Sequence, residues 1–193
     1  MPYIPSITLP AFVFETPAVS ILLPIGGGFG IGYLTNSKVR EDYKALKLPP
    51  FSPPGWLFAP VWSVLYPLMG YAAYRAWDVG MSSLDPSVVE ATKQGATLYT
   101  IQLALNLSSA AMLPGYRQPV ASSAVVVALL GSIGALILKW GKVDPIASYC
   151  LLPYISWVSL ATYLTLGINY LNSWSKGGTK QGRNPSDDTP KTR

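Results

Sequence analysis

The sequence contains few of the side chains that usually perform catalysis. Histidine is absent, and Cys150 is the only cysteine. This excludes an intrachain disulfide, the usual general base and a serine–histidine or cysteine–histidine pair, and it argues against zinc and histidine-ligated haem sites. Cys150 lies beside Leu151 in apolar sequence, so we expect a buried thiol and not a nucleophile. We predict no catalytic residue, no metal site and no required cofactor.

Polar side chains recur at helical spacing along one otherwise apolar stretch. Tyr99, Gln102 and Asn106 stand at positions i, i+3 and i+7, which places them on one face of a helix. If that helix lies in a membrane, unpaired polar groups are costly, and we expect this face to point into a helical bundle. There the side chains would either hydrogen-bond to neighbouring helices or line a ligand cavity, and their spacing fits both.

Two other stretches place aromatic rings beside small residues on one helical face. The first contains Trp62, Tyr66, Gly70 and Ala73, and the second contains Tyr154, Trp157, Ala161 and Leu164. Rings beside small residues leave a slot, and a slot with aromatic walls suits a flat apolar ligand. The alternatives are ordinary core packing, or aromatic belts at the ends of membrane helices.

A glycine-rich segment, GGGFGIG, covers Gly26–Gly32. It lacks the G-x-G-x-x-G spacing of a dinucleotide-binding loop and follows no predicted strand, which argues against nucleotide binding. In a helix, Gly26 and Gly30, and Gly28 and Gly32, form two overlapping G-x-x-x-G pairs, which allow close helix packing. This packing would lie inside one bundle, or between two copies if the face points outward.

A second short pattern lies near residue 170. Leu166, Tyr170 and Lys176 fit the loose L-x-Y-x-K pattern proposed for cholesterol contact. Tyr170, Trp174 and Lys176 also fit the ordinary interpretation as interfacial anchors of a membrane helix, which we favour.

The composition places these segments in a membrane protein. Charged residues make up only 12% of the 193 residues, compared with about 25% in soluble domains, and mean hydropathy is positive. Because a bilayer favours helices that satisfy their own backbone, we predict an all-α membrane protein with a five-transmembrane-helix bundle. The predicted spans are Ala18–Thr35, Trp56–Trp77, Ala91–Leu113, Val120–Leu138 and Pro145–Leu171. Residues 1–17 would precede a membrane domain of residues 18–172, and residues 173–193 would form a polar, disordered tail.

The basic residues predict how the bundle is oriented. The first predicted loop, the third loop and the tail together carry ten Lys and Arg, and the second and fourth loops carry four. By the positive-inside rule, the C-terminus then faces the cytosol and the N-terminus does not. The net charge of +5 follows from this distribution, and we expect no nucleic-acid partner. The N-terminus lacks the features of a cleavable signal or transit peptide, so the first span would act as the targeting signal.

Three segments carry a resemblance to a known family. They are PPGWLFAPVWSVLYPLMGYAAYRAW (Pro53–Trp77), LYTIQLALN (Leu98–Asn106) and PYISWVSLAT (Pro153–Thr162). In order and spacing, over about residues 18–172, they resemble the TspO/MBR family of translocator proteins, peripheral-type benzodiazepine receptors and tryptophan-rich sensory proteins. The resemblance implies five tightly packed helices and a pocket that opens towards the cytosol and binds porphyrins, sterols or synthetic aromatic ligands. It also implies a homodimer.

The resemblance assigns roles to individual residues. The loop between the first two helices would form a stiff lid over the pocket, which loses little entropy when a ligand binds. Its residues are Pro49, Pro50, Pro53, Pro54 and Trp56. The ligand-binding residues would be Trp62, Tyr66, Asn106, Trp157, Ala161 and Leu164. The chain departs from the family pattern at Leu107–Ser109, where a W-x-W motif is usual, and at Thr165, where an Asn is usual.

Together these features predict an integral membrane protein, similar to a receptor or translocator, that binds flat hydrophobic ligands and transports or buffers them. The ligand would be a porphyrin or another tetrapyrrole, or a sterol, and the bilayer itself is the other partner. One alternative is redox breakdown of a bound porphyrin, which the missing tryptophans disfavour. Another is a membrane scaffold whose pocket is vestigial. The resemblance favours the mitochondrial outer membrane, with the endoplasmic reticulum or another endomembrane as the alternative.

Overall fold

The computed structural model describes residues 7–112 and 119–177, and the side chains of most of them. These residues form helices and connecting segments and include no strand, so the predicted all-α fold is confirmed. The helices are α1 Ala11–Glu15, α2 Pro17–Ala45, α3 Phe58–Met81, α4 Pro86–Met112, α5 Pro119–Trp140 and α6 Pro145–Gly177. A short 3₁₀ turn, Gly55–Leu57, leads into α3.

Local sequence signals define where the helices begin. The α2, α4, α5 and α6 helices each begin at a proline, whose fixed φ suits the first helical position and whose missing N–H is not needed there. Before α4, Asp85 Oδ1 accepts a hydrogen bond from the backbone N–H of Ser87 at 2.8 Å. Before α6, Asp144 Oδ1 accepts from the N–H of Ile146 at 3.2 Å. Both aspartates therefore act as N-caps.

The five long helices, α2 to α6, pack side by side in a closed bundle. Around the bundle the order is α2, α3, α6, α5 and α4, with α4 returning to α2, and α3 also contacts α4 across the interior. The core lies between these helices, and its side chains Met69, Ile133 and Leu151 are fully buried. Every position of the predicted polar stripe, Tyr99, Gln102 and Asn106, is at most 2% exposed, so this face of α4 does point inward.

Three of the helices combine the length and the apolar composition needed to cross a membrane. Among the described residues these segments are Pro17–Thr35, Val120–Trp140 and Pro145–Asn172, which agree with the first, fourth and fifth predicted spans. The α3 and α4 helices lie where the second and third spans were predicted and are long enough, at 24 and 27 residues. Their tyrosines, tryptophans and buried amides lower their hydropathy.

The helix ends differ in places from the predicted spans. The α2 helix continues ten residues beyond Thr35, to Ala45. The α6 helix ends at Gly177, so the predicted tail begins inside a helix, and residues 178–193 lie outside the described part. Several basic residues used for the orientation, among them Arg117, also lie outside it.

Glycines set the closest helix approaches, but only one of the four predicted packing glycines does so. A Cβ on Gly28 would overlap the ring of Tyr66 in α3, whereas Gly26, Gly30 and Gly32 have no side chain or neighbouring helix within 4 Å. Within one chain, the predicted packing role is therefore wrong for these three, because their face of α2 points away from the bundle. A closer contact was missed, because a Cβ on Gly70 would overlap the backbone of α2 at Ser20 and Ile21.

The segment before α2 packs into the bundle, which its sequence did not indicate. The α1 helix has only five residues, yet Val13 and Phe14 are 4% and 0% exposed. The segment is also joined to α4, because the N–H of Leu9 donates to the Thr100 hydroxyl at 3.0 Å. Residues 9–15 are thus part of the folded unit, although a boundary was predicted at residue 17.

Candidate ligand site

An aromatic cluster lies where α3 meets α6. Trp62 and Tyr66, one helical turn apart on α3, stack with ring centroids 4.8 Å apart and an interplanar angle of 27°. Tyr154 of α6 meets Trp62 edge to face at 6.2 Å. Tyr66 and Tyr154 are buried, and Trp62 is half-buried. The spacing of four residues on α3 therefore stacks the two rings, and Tyr154 extends the aromatic cluster to α6.

A chain of hydrogen bonds runs through the interior beside these rings. The Tyr66 hydroxyl donates to Asn106 Oδ1 at 3.4 Å, and Asn106 Nδ2 donates to the Tyr154 hydroxyl at 3.1 Å. That hydroxyl donates in turn to Gln102 Oε1 at 2.8 Å. Gln102 Nε2 contacts Met69 Sδ at 3.2 Å. All five side chains are less than 5% exposed, and their pairing offsets the cost of burying amides and hydroxyls.

This polar chain joins α3, α4 and α6 in the interior of the bundle. It brings together three predicted features, the aromatic face of α3, the polar stripe of α4 and the aromatic face of α6. Tyr154 and Gln102 belong with the site although they were absent from the predicted ligand-binding set. Their helical spacing indicated an inward direction, but it could not show that their side chains meet.

An open groove of about 540 Å³ lies between α3 and α6. Its lining residues are Pro60, Val61, Val64, Leu65, Pro153, Ser156 and Trp157. Trp157 forms one wall and meets Phe58 edge to face at 5.3 Å. The indole nitrogen of Trp157 is buried and has no hydrogen-bond partner. The surface of the groove is almost entirely apolar, and its volume lies within the roughly 300–1,000 Å³ typical of small-molecule sites.

The remaining predicted ligand residues continue along α6 from Trp157. Ala161 is half-buried, and Leu164 is 5% exposed. The Thr165 hydroxyl donates to the Ala161 carbonyl oxygen at 2.9 Å, within the helix. Ala161 and Leu164 therefore lie on the helix of the groove, but they do not join the hydrogen-bonded chain.

The proline-rich loop before α3 is fastened to the second half of α6. Lys47 N–H donates to Asn172 Oδ1 at 3.2 Å, and Asn172 Nδ2 donates to the Lys47 carbonyl oxygen at 3.1 Å. The Tyr163 hydroxyl donates to the carbonyl oxygen of Pro50 at 2.9 Å. Pro49 is buried against Gly167, where a Cβ would lie 2.9 Å from the Pro49 ring. The loop thus has a fixed position, and Tyr163 and Asn172 are site residues that sequence reasoning missed.

The loop itself makes a tight turn with an unusual backbone conformation. Phe51 has a φ of 63° and is 91% exposed, and a bulky residue rarely adopts the left-handed region. The Ser52 hydroxyl supports the turn by donating to the Pro49 carbonyl oxygen at 2.7 Å. Pro53 is half-buried, and Pro54 precedes the 3₁₀ turn. Trp56 is 73% exposed, so this predicted lid residue lies on the outer surface of the loop.

The chain fills the positions where it departs from the family pattern with packing and hydrogen bonds. Leu107 packs against Gly27 of α2. Asn169, one helical turn after Thr165, donates through Nδ2 to the hydroxyls of Ser122 and Ser123 in α5, at 3.1 and 2.9 Å. Leu166 and Tyr170 of the cholesterol-like pattern are exposed, at 43% and 67%. The side chain of Lys176 lies outside the described residues, and the sterol role of this pattern stays a prediction.

The chain folds as a helical bundle with membrane-spanning helices. Aromatic and amide side chains fill its interior, and a proline-rich loop is docked on it. These features define a class of small polytopic membrane proteins. The sequence matches the model of the TspO/MBR family over residues 20–171. It is 37% identical over 152 residues to a translocator protein homolog of Schizosaccharomyces pombe, covering 78% of this chain and 88% of the relative.

Bacterial and animal proteins show the same similarity. A tryptophan-rich protein TspO of Chlorobaculum tepidum is 35% identical over 157 residues, which cover 81% of this chain and 96% of the relative. A translocator protein of Ovis aries is 34% identical over 174 residues, covering 89% and 96%. The chain belongs to the TspO/MBR family, and it is an integral membrane protein.

Proposed function

We propose that the protein binds flat hydrophobic ligands of the tetrapyrrole or sterol class within the membrane, and that it transports or buffers them. The binding site in this proposal comprises the groove between α3 and α6 and, on the same two helices, the rings of Trp62, Tyr66 and Tyr154. Translocator proteins among the relatives support this direction. The observation that carries the proposal is the groove of about 540 Å³ with Trp157 as its wall.

The chemistry of the groove favours a flat apolar ligand. Its lining of proline, valine, leucine and tryptophan side chains provides a surface for dispersion contacts and no charge. A ring system stacked against tryptophan gains about 0.5–1.5 kcal/mol beyond the burial of its area. The Tyr66–Asn106–Tyr154 chain does not line the groove; in this proposal it joins α3 to α6 and keeps the two helices that form the groove in position.

In this proposal the docked loop is a lid. Because its contacts are made by backbone groups of Lys47 and Pro50 to α6 side chains, the loop is positioned before a ligand arrives. A preorganised loop loses little conformational entropy on binding. Pro49 and Pro50 restrict the loop further, since proline fixes φ.

We also propose a homodimer formed through α2. The face with Gly26, Gly30 and Gly32 has open space in the single chain, and glycines at this spacing let a second helix approach closely. The proposed location is the mitochondrial outer membrane, with the tail in the cytosol. Protease added to intact organelles should then remove a C-terminal tag, and full protection of the tag would contradict this orientation.

The test of the proposed function is a titration of the purified protein in lipid nanodiscs with protoporphyrin and, separately, with cholesterol. Quenching of tryptophan fluorescence reports occupancy, because Trp157 lines the groove and Trp62 belongs to the aromatic cluster of α3 and α6. We expect saturable quenching by at least one ligand. The absorbance of bound protoporphyrin, followed in light and in darkness, should stay constant with a binder. Protein-dependent loss of colour would instead indicate the enzymatic alternative.

A further inference from the structure

A second aromatic cluster lies towards the other end of the bundle, and it already contains a ring. Phe14 of α1 stacks on Trp77 of α3 at 5.1 Å with an interplanar angle of 21°. It meets Tyr99 of α4 edge to face at 5.8 Å, and Tyr99 stacks on Trp140 of α5 at 5.7 Å. We call Trp77, Tyr99 and Trp140 the aromatic box. Phe14 contacts two of its rings, Trp77 and Tyr99, and is fully buried.

The segment that inserts Phe14 is held in place by the burial of Val13 and Phe14 and by hydrogen bonds to α4. The hydroxyls of Thr8 and Thr97 share a hydrogen bond at 2.9 Å, and the N–H of Leu9 donates to Thr100 Oγ1 at 3.0 Å. A helix of five residues, such as α1, is too short to be stable by itself. The segment therefore keeps its structure only while it is docked. It also lies outside residues 20–171, which match the family model.

The box contains a polar group that Phe14 cannot satisfy. The Tyr99 hydroxyl is buried and has no hydrogen-bond partner, although Tyr99 is only 1% exposed. The indole nitrogen of Trp140 is likewise buried and unpartnered, and it lies against Gly95. A buried donor without an acceptor is unfavourable. A planar ligand with an acceptor atom could stack as Phe14 does and could also pair with the Tyr99 hydroxyl.

We propose that the aromatic box is a second ligand site, for a small planar aromatic molecule that carries a hydrogen-bond acceptor. Residues 8–15 are a displaceable plug, with Phe14 as the internal substitute for the ligand. Because the site is open only in molecules whose plug has left, the apparent affinity is lowered by the fraction of open molecules. This site is separate from the groove at Trp157.

The first experiment locks the plug. Thr8→Cys and Thr97→Cys, in a Cys150→Ser background, place two thiols where hydroxyls now touch. The probe is quinoline, which has two fused rings and one acceptor nitrogen. Binding is the amount of quinoline retained by nanodiscs that contain the protein, minus the amount retained by empty nanodiscs. We expect the reduced protein to bind quinoline and the oxidised protein to bind it about tenfold more weakly. Equal binding in both states, or no binding by the reduced protein, would overturn the proposal.

The second experiment does not depend on the disulfide. In Phe14→Ala, checked for folding by circular dichroism, quinoline affinity should rise about tenfold, and Tyr99→Phe added to it should remove the preference for quinoline over naphthalene. Naphthalene is the matched probe because it has the same shape without an acceptor. A folded Phe14→Ala protein with unchanged quinoline affinity, or an unchanged preference after Tyr99→Phe, would contradict the site. Protoporphyrin binding at the groove should be the same in all these variants.

Discussion

The side-chain amide of Asn172 pairs with both backbone polar groups of Lys47. Its oxygen accepts from the Lys47 N–H at 3.2 Å, and its nitrogen donates to the Lys47 carbonyl oxygen at 3.1 Å. These two residues are 125 positions apart in the chain. The pair fixes the beginning of the proline-rich loop to the last turns of α6.

Removing this amide should loosen the loop without unfolding the bundle. Asn172→Ala deletes its two hydrogen bonds to the loop, worth about 0.5–1.5 kcal/mol each, and one to the Ile168 carbonyl oxygen within α6. We expect faster amide hydrogen exchange at Lys47 and Phe51, together with faster release of a bound porphyrin. Asn169→Ala is the matched control, because Asn169 bonds to Ser122 and Ser123 in α5. It should lower thermal stability and leave exchange in the loop unchanged. The same exchange rates in Asn172→Ala and the parent protein would show that the amide does not hold the loop.

The interior hydrogen bonds should differ in strength as their lengths do. The Tyr154–Gln102 bond is 2.8 Å long, and the Tyr66–Asn106 bond is 3.4 Å long. Double-mutant cycles with Tyr→Phe and amide→Leu changes should therefore give the larger coupling for Tyr154 and Gln102. Such couplings in membrane proteins average about 0.6 kcal/mol and reach about 1.7 kcal/mol. Absence of coupling in both pairs, measured by thermal unfolding in one detergent, would be inconsistent with the network.

An added methyl group should lower the stability of the protein at Gly28 of α2 but not at Gly30. Gly28→Ala places a Cβ in the ring of Tyr66, and this overpacking should cost about 1–3 kcal/mol. Gly30→Ala meets nothing within 4 Å and removes a poor helix former, so stability should stay equal or rise. Thermal melts of both variants make the comparison. If Gly30→Leu also shifts the dimer–monomer balance, the open face is the dimer interface, and an unchanged balance would reject that interface.

Asp144 performs two tasks that conservative changes can separate. Its carboxylate pairs with Arg75 of α3, and its Oδ1 caps α6. Asp144→Asn keeps a capping oxygen and loses the charge, whereas Asp144→Ala loses both. The Ala variant should be less stable than the Asn variant by about 1 kcal/mol, and Asp144→Asn should have the smaller salt dependence. Equal melting temperatures of the two variants would show that the cap contributes nothing.

The sequence predicted the local features that depend on periodicity. Apolar runs located the long helices, and the spacing of Tyr99, Gln102 and Asn106 indicated an inward face of α4, which is buried in the structure. The pairing partners of that face could not be predicted, because hydrogen bonds to Tyr66 and Tyr154 depend on how three helices are rotated against one another. The same limitation applies to the glycines, since spacing describes a face without showing what it contacts.

The features that were missed are contacts between distant segments. Phe14 lies in a short, proline-flanked stretch with no helical periodicity, so its burial between Trp77 and Tyr99 left no signal in the sequence. Lys47 docks on the Asn172 side chain through its own backbone atoms, which every residue type carries, so the sequence of the loop gives no signal for this contact. In both cases the information lies in the tertiary packing.

The most direct test of the proposed ligand site is the dissociation constant of protoporphyrin for Trp157→Ala, measured beside the parent protein and Tyr149→Ala in the same nanodiscs. Trp157 forms a wall of the groove, whereas Tyr149 is an aromatic residue of the same helix that is 66% exposed. Loss of one stacking ring, at about 0.5–1.5 kcal/mol, corresponds to about a two- to tenfold weaker affinity. We expect this loss for Trp157→Ala and an unchanged affinity for Tyr149→Ala, with circular dichroism confirming that both variants fold. Equal dissociation constants for all three proteins would contradict ligand binding at the groove.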